Sequence, residues 1–168
     1  MPDALNQPAV ARQPNSRHCF VCGLENPFGL KLRFYNTSPG LVEAEYTVPE
    51  SYQGYPGVVH GGIVAAMLDE VAGRVHMGGD PPRFVYTARM EVRYRKNVPV
   101  GQPLRIVGRA GKSKGRTALA TSAIYDRDGN VLAEADLLLV DIPEDIVGAV
   151  DLDVLGWKVY EDQPGAGE

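Results

Sequence analysis

The stretch GVVHGGIVAAMLDEVAG, residues 57–73, decides how the rest of the sequence is interpreted. Its small and apolar residues recur with helical spacing. The pattern predicts one helix from Gly61 to His76, which ends at the glycines and prolines of MGGDPP. Two acids, Asp69 and Glu70, lie in this otherwise small and apolar segment. A carboxylate among alanines and glycines needs an explanation, so these positions are the first candidates for a functional site.

The two acids point in different directions, because successive residues on a helix are rotated by about 100°. One stripe of the helix is apolar and is predicted to pack on a sheet; it consists of Ile63, Met67, Val71 and Val75. A second stripe is nearly free of bulky side chains; it consists of Gly62, Ala65, Ala66, Asp69, Ala72 and Gly73. Small residues at this spacing let a ligand, a neighbouring helix or a second subunit approach closely. Asp69 lies in that second stripe, whereas Glu70 is interpreted as a solvated or salt-bridged residue.

The start of the helix has a chemistry of its own. Gly61 and Gly62 are predicted to leave backbone N–H groups uncovered at the positive end of the helix dipole. Such groups can hold a carbonyl oxygen and stabilise the negative charge that it develops during nucleophilic attack. The alternative interpretation is that His60, Gly61 and Gly62 form only a tight turn before the helix.

Alternating apolar and polar residues predict strands on both sides of the helix. The predicted strands cover residues 29–38, 41–49, 84–98, 102–115, 117–129 and 130–143. The first two form a hairpin around the turn NTSPG, and DRDGN is a tight turn between the last two. One helix with mostly antiparallel strands is an α+β architecture. The last apolar segment, residues 144–157, is predicted to be a short helix or a loop that packs back on the sheet.

Composition limits the class of protein. The chain has 168 residues and a formal net charge of −4, which fits one domain and argues against a general binder of nucleic acid or anionic membranes. We divide it into a flexible arm at residues 1–16, a single domain at 17–160 and a disordered tail at 161–168. No apolar run is long enough to span a bilayer, and the first residues have no hydrophobic signal core. We therefore expect a cytoplasmic protein.

Two cysteines are too few for a disulfide framework, but they lie close to a histidine. His18, Cys19 and Cys22 could supply three metal ligands. A structural zinc site normally has four ligands, and the sequence has no second cysteine pair. We therefore predict no metal site and interpret the two cysteines as buried in a loop under the sheet.

Three segments carry a resemblance to a known family. Residues 57–73, the upstream CFVCGLENPFGLKLRF at 19–34 and the downstream YTARMEVRYRKNVPVGQPL at 86–104 resemble hotdog-fold acyl-CoA thioesterases of the PaaI type, the phenylacetate-pathway branch related to hydroxybenzoyl-CoA thioesterases. The resemblance covers residues 18–142. It implies a long helix wrapped by a curved antiparallel sheet. It also implies a homodimer or homotetramer, with each active site between two subunits.

The resemblance also implies roles for individual residues. Asp69 matches the family's acid, the Gly61 backbone amide matches the group that polarises the thioester carbonyl, and His60 matches the histidine at the helix start. Thr87 matches a hydroxyl residue that the other subunit is expected to contribute. The family's asparagine before the helix falls on Gly54, and the neighbouring Gln53 is a substitute candidate. Gly62 completes the substrate-binding set at the helix start.

The predicted activity is hydrolysis of an acyl-CoA thioester, with Asp69 as general base or nucleophile and with no cofactor, because coenzyme A is part of the substrate. A hotdog dehydratase or hydratase and a non-catalytic acyl-CoA-binding protein are the alternatives. A basic cluster could bind the phosphates of coenzyme A or could be a solvated face of edge strands; it consists of Arg89, Arg93, Arg95, Lys96, Lys112, Lys114 and Arg116. Of these, we select Arg89, Arg93, Lys112 and Arg116 as substrate-binding candidates. Three aromatic residues are candidates for the acyl pocket: Tyr52, Tyr55 and Phe84.

Overall fold

The computed structural model describes residues 10–79 and 81–161. One long helix packs against a seven-stranded antiparallel sheet with the strand order β1-β2-β3-β5-β6-β7-β4. The strands are β1 (Ala11–Arg12), β2 (Tyr35–Ser38), β3 (Leu41–Thr47), β4 (Val85–Tyr94), β5 (Pro103–Lys114), β6 (Thr117–Tyr125) and β7 (Val131–Asp141). The helices are α1 (Gly61–Gly73), α2 (Glu144–Gly148) and α3 (Leu152–Leu155). This arrangement confirms the predicted α+β hotdog fold.

Helix α1 starts at the predicted residue and ends three residues earlier than predicted, because Arg74 to His76 form a turn. Its buried face consists of Val64, Met67, Leu68, Val71 and Ala72. The predicted apolar stripe is therefore too narrow, and Ala72 belongs to the core rather than to the stripe of small residues.

The helix lies very close to the sheet at Gly108 on β5. A Cβ atom at this position would be 2.5 Å from the Val71 carbonyl oxygen, which is closer than real side chains come to a backbone. Glycine is therefore needed for close packing at this point, and no part of the sequence pattern predicted it. This contact positions α1 across the sheet and thereby fixes which residues of α1 remain accessible.

The N-terminal segment differs from the prediction. Residues 11–12 form β1, which pairs with β2 through Ala11 and Asn36. Asn15 is fully buried, and its amide donates hydrogen bonds to the carbonyl oxygens of Cys22 and Leu32, both at 2.8 Å. The predicted flexible arm is therefore wrong for residues 11–16, while residues 1–9 lie outside the described residues. The same packing shortens the predicted strand at 29–38 to β2.

The C-terminal segment packs against the N-terminal segment, where Asn15 pairs with Lys158, and against Phe84 just before β4. Two short helices, α2 and α3, replace the predicted single helix or loop. The Trp157 ring contacts the Phe84 ring edge to face at 5.4 Å between centroids, and the Arg74 guanidinium lies 5.4 Å from the Trp157 ring centre. Residues 162–168 of the predicted tail lie outside the described residues. No helix in the described part of the chain has the length and apolar character needed to cross a membrane.

Candidate active site

Asp69 and Thr87 form a direct contact within one chain. The Thr87 hydroxyl donates a hydrogen bond of 2.6 Å from Oγ1 to Oδ1 of Asp69. Thr87 lies on β4, where a bulge at Ala88 interrupts the pairing with β7. The expectation that Thr87 approaches Asp69 from another subunit is therefore wrong for this chain, because its own β4 brings the hydroxyl to the acid. In residues 10–79 and 81–161, no cation forms an ion pair with Asp69.

The helix start leaves one backbone amide open rather than two. The Gly62 N–H donates to Nδ1 of His60 at 2.9 Å, so the prediction of an uncovered amide is wrong for Gly62. Among the described residues, no acceptor pairs with the Gly61 N–H. Because Nδ1 of His60 accepts this bond, the proton of the neutral ring is on Nε2. The Tyr94 hydroxyl donates to the Gly61 carbonyl oxygen at 2.8 Å and fixes the first turn.

A cavity of about 350 Å³ lies beside this helix start. Its wall comes from the loop before α1, the first turn of α1, the end of β4 and the residues after β4; it includes Gly54, Tyr55, His60, Gly61, Tyr94, Lys96, Asn97 and Val98. The wall is mainly apolar, with a lysine and an amide at its edge. No sequence pattern indicated Asn97, because it lies inside the strand predicted at 84–98, whereas the observed β4 ends three residues before Asn97, at Tyr94.

Only part of the predicted pocket surrounds the cavity. Tyr55 is in the wall and 83% exposed. Phe84 instead packs on Trp157, and the Tyr52 hydroxyl donates to the Gly29 carbonyl oxygen at 3.1 Å. The Gln53 side chain accepts a hydrogen bond from the Gly57 N–H at 3.2 Å and therefore stabilises the loop before α1. Gly54 occupies the position of the family's asparagine. It has no side chain, so only its backbone lines the cavity.

The two halves of the candidate site are far apart within one chain. Gly61 and Asp69 are eight residues apart on α1. A helix rises 1.5 Å per residue, so their backbones are separated by about 12 Å along the axis. A reacting carbonyl needs its oxyanion donor and its acid or base within about 3 Å of the reacting atoms. This separation is large for two groups of one chain that would act on the same thioester.

The predicted basic residues have different surroundings. Arg93 pairs with Asp136 at 2.6 Å and with Glu91 at 2.7 Å, so its charge is already compensated. Arg89, Lys112 and Arg116 are exposed, and none of them forms an ion pair with the part of the chain that the structure describes. Lys96 is the member of the predicted basic cluster that lies in the cavity wall.

Glu70 lies in a second, separate cluster on the other side of α1. Its Oε1 forms an ion pair with Nη2 of Arg74 at 2.9 Å, and the Arg74 side chain is 1% exposed. The salt-bridged interpretation of Glu70 is confirmed, and the solvated one is wrong because its side chain is 23% exposed. Burial raises the pKa of Glu70 to about 7. The i,i+4 spacing of Glu70 and Arg74 was a sequence signal for this pair.

Cys19 and Cys22 complete the second cluster. The Cys19 sulfur lies 3.9 Å from Oε2 of Glu70. A hydrogen bond from the Cys22 thiol, assisted by backbone N–H groups, lowers the pKa of Cys19 to about 6, and the same hydrogen bond and burial raise the pKa of Cys22. Both cysteines are free. The group of potential metal ligands in the described residues contains Glu70 together with the two cysteines, whereas His18, the third residue considered in the sequence, is exposed and lies outside the group.

Comparison with known proteins gives consistent matches. Residues 56–133 match the sequence model of a family described as the thioesterase superfamily. Acyl-coenzyme A thioesterase THEM4 of Xenopus laevis is 30% identical over 112 residues, which are 65% of this chain and 49% of that protein. The chain thus spans about half the length of this relative.

Solved structures share the architecture. Protein RHA08564, a thioesterase superfamily protein, is 34% identical, with a TM-score of 0.69 over 74% of this chain and 61% of that chain. The PaaI protein of the Escherichia coli phenylacetic acid degradation operon is 12% identical, with a TM-score of 0.62 over 68% of this chain and 81% of that chain. At this level of identity, the likeness to PaaI concerns the fold alone.

Proposed function

Residues 56–133 belong to the thioesterase superfamily of hotdog domains, and from that premise we propose that the protein is an acyl-CoA thioesterase. The reaction adds water to the thioester and gives a carboxylic acid and free coenzyme A. The open Gly61 amide beside the cavity carries this proposal, because it is a donor at the positive end of a helix with no acceptor among the described residues.

The helix start would stabilise the oxyanion. The thioester carbonyl oxygen would accept the Gly61 N–H, and Nε2–H of His60 is a second potential donor. An isolated oxyanion donor of this kind contributes about 10²–10³ in rate. Gly62 contributes through its small size and through the hydrogen bond that orients the His60 ring.

Asp69 would act as general base or as nucleophile. As a base it accepts a proton from water while the water oxygen attacks the carbonyl carbon, the C–S bond breaks and the thiolate of coenzyme A takes up a proton. As a nucleophile its carboxylate attacks the carbonyl carbon, the C–S bond breaks and the thiolate of coenzyme A leaves and takes up a proton, and water then hydrolyses the mixed anhydride to the carboxylic acid and free Asp69. Thr87 donates to Oδ1, which orients the carboxylate and leaves Oδ2 for either role. A single turnover in ¹⁸O-labelled water that places the label in Asp69 identifies the nucleophilic route with attack of water at the Asp69 carbonyl, and trapping of the mixed anhydride with hydroxylamine identifies the nucleophilic route when water attacks the acyl carbon instead.

The active unit would be at least a homodimer. Since about 12 Å separates Gly61 from Asp69 within one chain, we propose that His60 and Gly61 of one chain face Asp69 and Thr87 of its partner. Strand β4 ends the described sheet, and residues 86–89 on it are exposed. An unpaired edge of this length is typical of a strand that pairs with a second copy.

A subunit-mixing experiment tests this arrangement. Gly61 is the first residue of α1, where proline is tolerated, and His60 has the extended backbone that precedes a proline. Gly61→Pro therefore removes the N–H donor with little effect on the helix, and Gly61→Ala is the matched control that keeps it. Each of Gly61→Pro and Asp69→Asn should be nearly inactive alone. After random exchange, half of the dimers are mixed and have one intact site, so about a quarter of the activity should return.

The corrected position of Thr87 supplies a control for this experiment. Because Thr87 and Asp69 of one chain belong to the same site, mixing Thr87→Val with Asp69→Asn should restore nothing. Recovery in that second mixture, or none in the first after mass spectrometry has shown exchange, contradicts the proposed division of the site. A fully active monomer in sedimentation has the same consequence.

Binding of the coenzyme A phosphates by basic residues of this chain is also part of the proposal. We propose Lys96 as a phosphate contact, because it lies in the cavity wall, and retain the exposed Arg89, Lys112 and Arg116 as further candidates. Arg93 is a weaker candidate because two carboxylates already pair with it. A cytoplasmic location, consistent with two free cysteines, also remains part of the proposal.

A panel of acyl-CoA thioesters with detection of the released thiol tests the activity itself. Thiol release that depends on Asp69 supports a thioesterase. Tight binding of acyl-CoA without release identifies a non-catalytic acyl-CoA-binding protein, and a change in the acyl chain without thiol release identifies a dehydratase or hydratase.

A further inference from the structure

The second cluster has a composition and a geometry that the thioesterase reaction does not use. It contains two sulfur atoms and one carboxylate oxygen, from Cys19, Cys22 and Glu70, and these atoms all lie within 4.8 Å of one another. We propose that this cluster binds a zinc ion through the two thiolates and Oε2 of Glu70, with a fourth position open to water. Cys19 is partly exposed, so an ion and a water molecule can reach the cluster from solvent.

The spacing of the three atoms fits a tetrahedral ion. Zinc binds sulfur at about 2.3 Å and carboxylate oxygen at about 2.0 Å, which places a sulfur and an oxygen ligand about 3.5 Å apart. The sulfur of Cys19 and Oε2 of Glu70 are 3.9 Å apart without an ion. A shift of a few tenths of an ångström, about the tolerance of such sites, would therefore form the complex.

The loop that carries the cysteines is shaped for a pair of thiolates. The N–H groups of Val21 and Cys22 donate to the Cys19 sulfur at 3.3 and 3.4 Å, and the Gly23 N–H closes the turn on the Cys19 carbonyl oxygen at 2.8 Å. A Cβ atom at Gly23 would overlap the Cys19 backbone, so only glycine permits the turn. Backbone N–H groups directed at sulfur favour the thiolate, which is the form that binds metals.

The charges of the cluster also favour a divalent cation. Arg74 holds Oε1 of Glu70 by its ion pair and leaves Oε2 on the side of Cys19. Two thiolates, one carboxylate and one guanidinium have a total charge of −2, so one divalent cation makes the buried group neutral. Arg74 would orient the carboxylate ligand in the way that outer partners of metal ligands do.

The chemical type of the ligand atoms determines which ion the cluster would prefer. Two sulfurs favour zinc over calcium or magnesium, which prefer an all-oxygen environment. Cys22 is 2% exposed and Glu70 lies on the central helix, so two of the three ligands are held by the core. An ion held in this way would tie the segment before β2 to α1.

Cobalt titration of the full-length protein tests the proposal. Reduced, metal-free protein should bind one Co²⁺ per chain. The complex should show thiolate-to-cobalt charge transfer in the near ultraviolet and the visible bands of tetrahedral cobalt, and Zn²⁺ should displace the cobalt. Zn²⁺ should also raise the melting temperature, since it binds the folded state. Absence of both the thiolate bands and the temperature shift overturns the proposal.

Variants separate this site from adventitious binding. Cys22→Ser should remove the charge-transfer band. Glu70→Gln should weaken binding by at least about tenfold, because losing even an outer partner of a metal ligand costs about that much. His18→Ala should bind with unchanged affinity, because its ring lies outside the cluster. If Cys22→Ser does not fold, Cys19→Ala, at the more exposed position, serves instead. Unchanged binding by Cys19→Ala, loss of binding in His18→Ala, or a stable Cys19–Cys22 disulfide in the cytosolic protein contradicts a zinc site.

Discussion

Asp69 and Glu70 are neighbours in the sequence but occupy opposite environments. Asp69 is half-buried beside β4 and receives one hydrogen bond from a hydroxyl, whereas Glu70 is packed against buried Arg74 and the cysteine loop. A rotation of about 100° on one helix separates the two environments. The comparison teaches that the partners of a carboxylate, rather than its presence in an apolar segment, decide whether it is available for chemistry.

The difference also changes the choice of controls. Replacing Glu70 breaks a pair with an arginine that is 1% exposed, so Glu70→Gln is not a neutral reference for Asp69→Asn. An acid without side-chain partners is better suited. Asp128 is exposed in the turn between β6 and β7 and provides such a reference.

The largest expected effect follows from replacing Asp69. Asp69→Asn should lower kcat by about 10²–10⁴, because the amide cannot serve as base or nucleophile. The melting temperature should stay close to that of the wild type, since Oδ1 can still accept the Thr87 hydrogen bond. Asp128→Asn should leave both values unchanged. Near-normal turnover by purified Asp69→Asn would remove the catalytic role.

Replacing Arg74 should produce the opposite pattern. Arg74→Met leaves the Glu70 carboxylate without its cation and should lower the free energy of unfolding by about 3 kcal/mol, the low end for broken buried pairs, because Glu70 is 23% exposed. Urea denaturation measures this change. Arg17→Met, which breaks the exposed pair with Glu25, is the control and should cost less than about 1 kcal/mol. Equal losses in the two variants would mean that the buried pair has no special role.

A smaller effect on activity is expected from Thr87. Thr87→Val removes a hydrogen bond to a charged group, which is worth about 1.5–3 kcal/mol, so kcat/KM should fall by about 10–100-fold. Thr87→Ser keeps the hydroxyl and should retain most activity. If valine and serine behave alike, the contact with Asp69 is structural and does not support catalysis.

The last expected effect is a dependence of stability on pH. The pKa of Glu70 is raised to about 7 by burial, above its value of 4.5 in an unfolded chain. The folded state therefore binds the proton more tightly, and this stabilisation is present below pH 4.5 and is lost as the pH rises to 7. Over that window the free energy of unfolding should fall by about 3 kcal/mol from this group, of which about 2 kcal/mol lies between pH 5 and pH 6.5. Glu70→Gln should remove the dependence when unfolding of metal-free protein is followed at pH 5 and 6.5; a dependence unchanged in Glu70→Gln would assign it to another group.

The sequence by itself determined most of the helices and strands, and it identified two of the groups proposed for catalysis. The start of α1, the hairpin and the four later strands follow from periodicity and turn residues, which act over a few neighbouring positions. Asp69 and the Gly61 amide could be selected in the same way, because a helix start and a small-residue stripe are local patterns. The thioesterase superfamily was predicted from motifs that are continuous in the chain.

Only the tertiary structure decided which residues meet. Thr87 contacts Asp69 of its own chain across 18 positions, and Cys19 approaches Glu70 across 51. Lys96 reaches the cavity at the helix start only because β4 runs beside α1. The close approach at Gly108 lets α1 pack directly on the sheet, and in that packing Asp69 meets β4 while Glu70 meets the cysteine loop. Such contacts depend on how the helix packs on the sheet, and no local pattern contains that information.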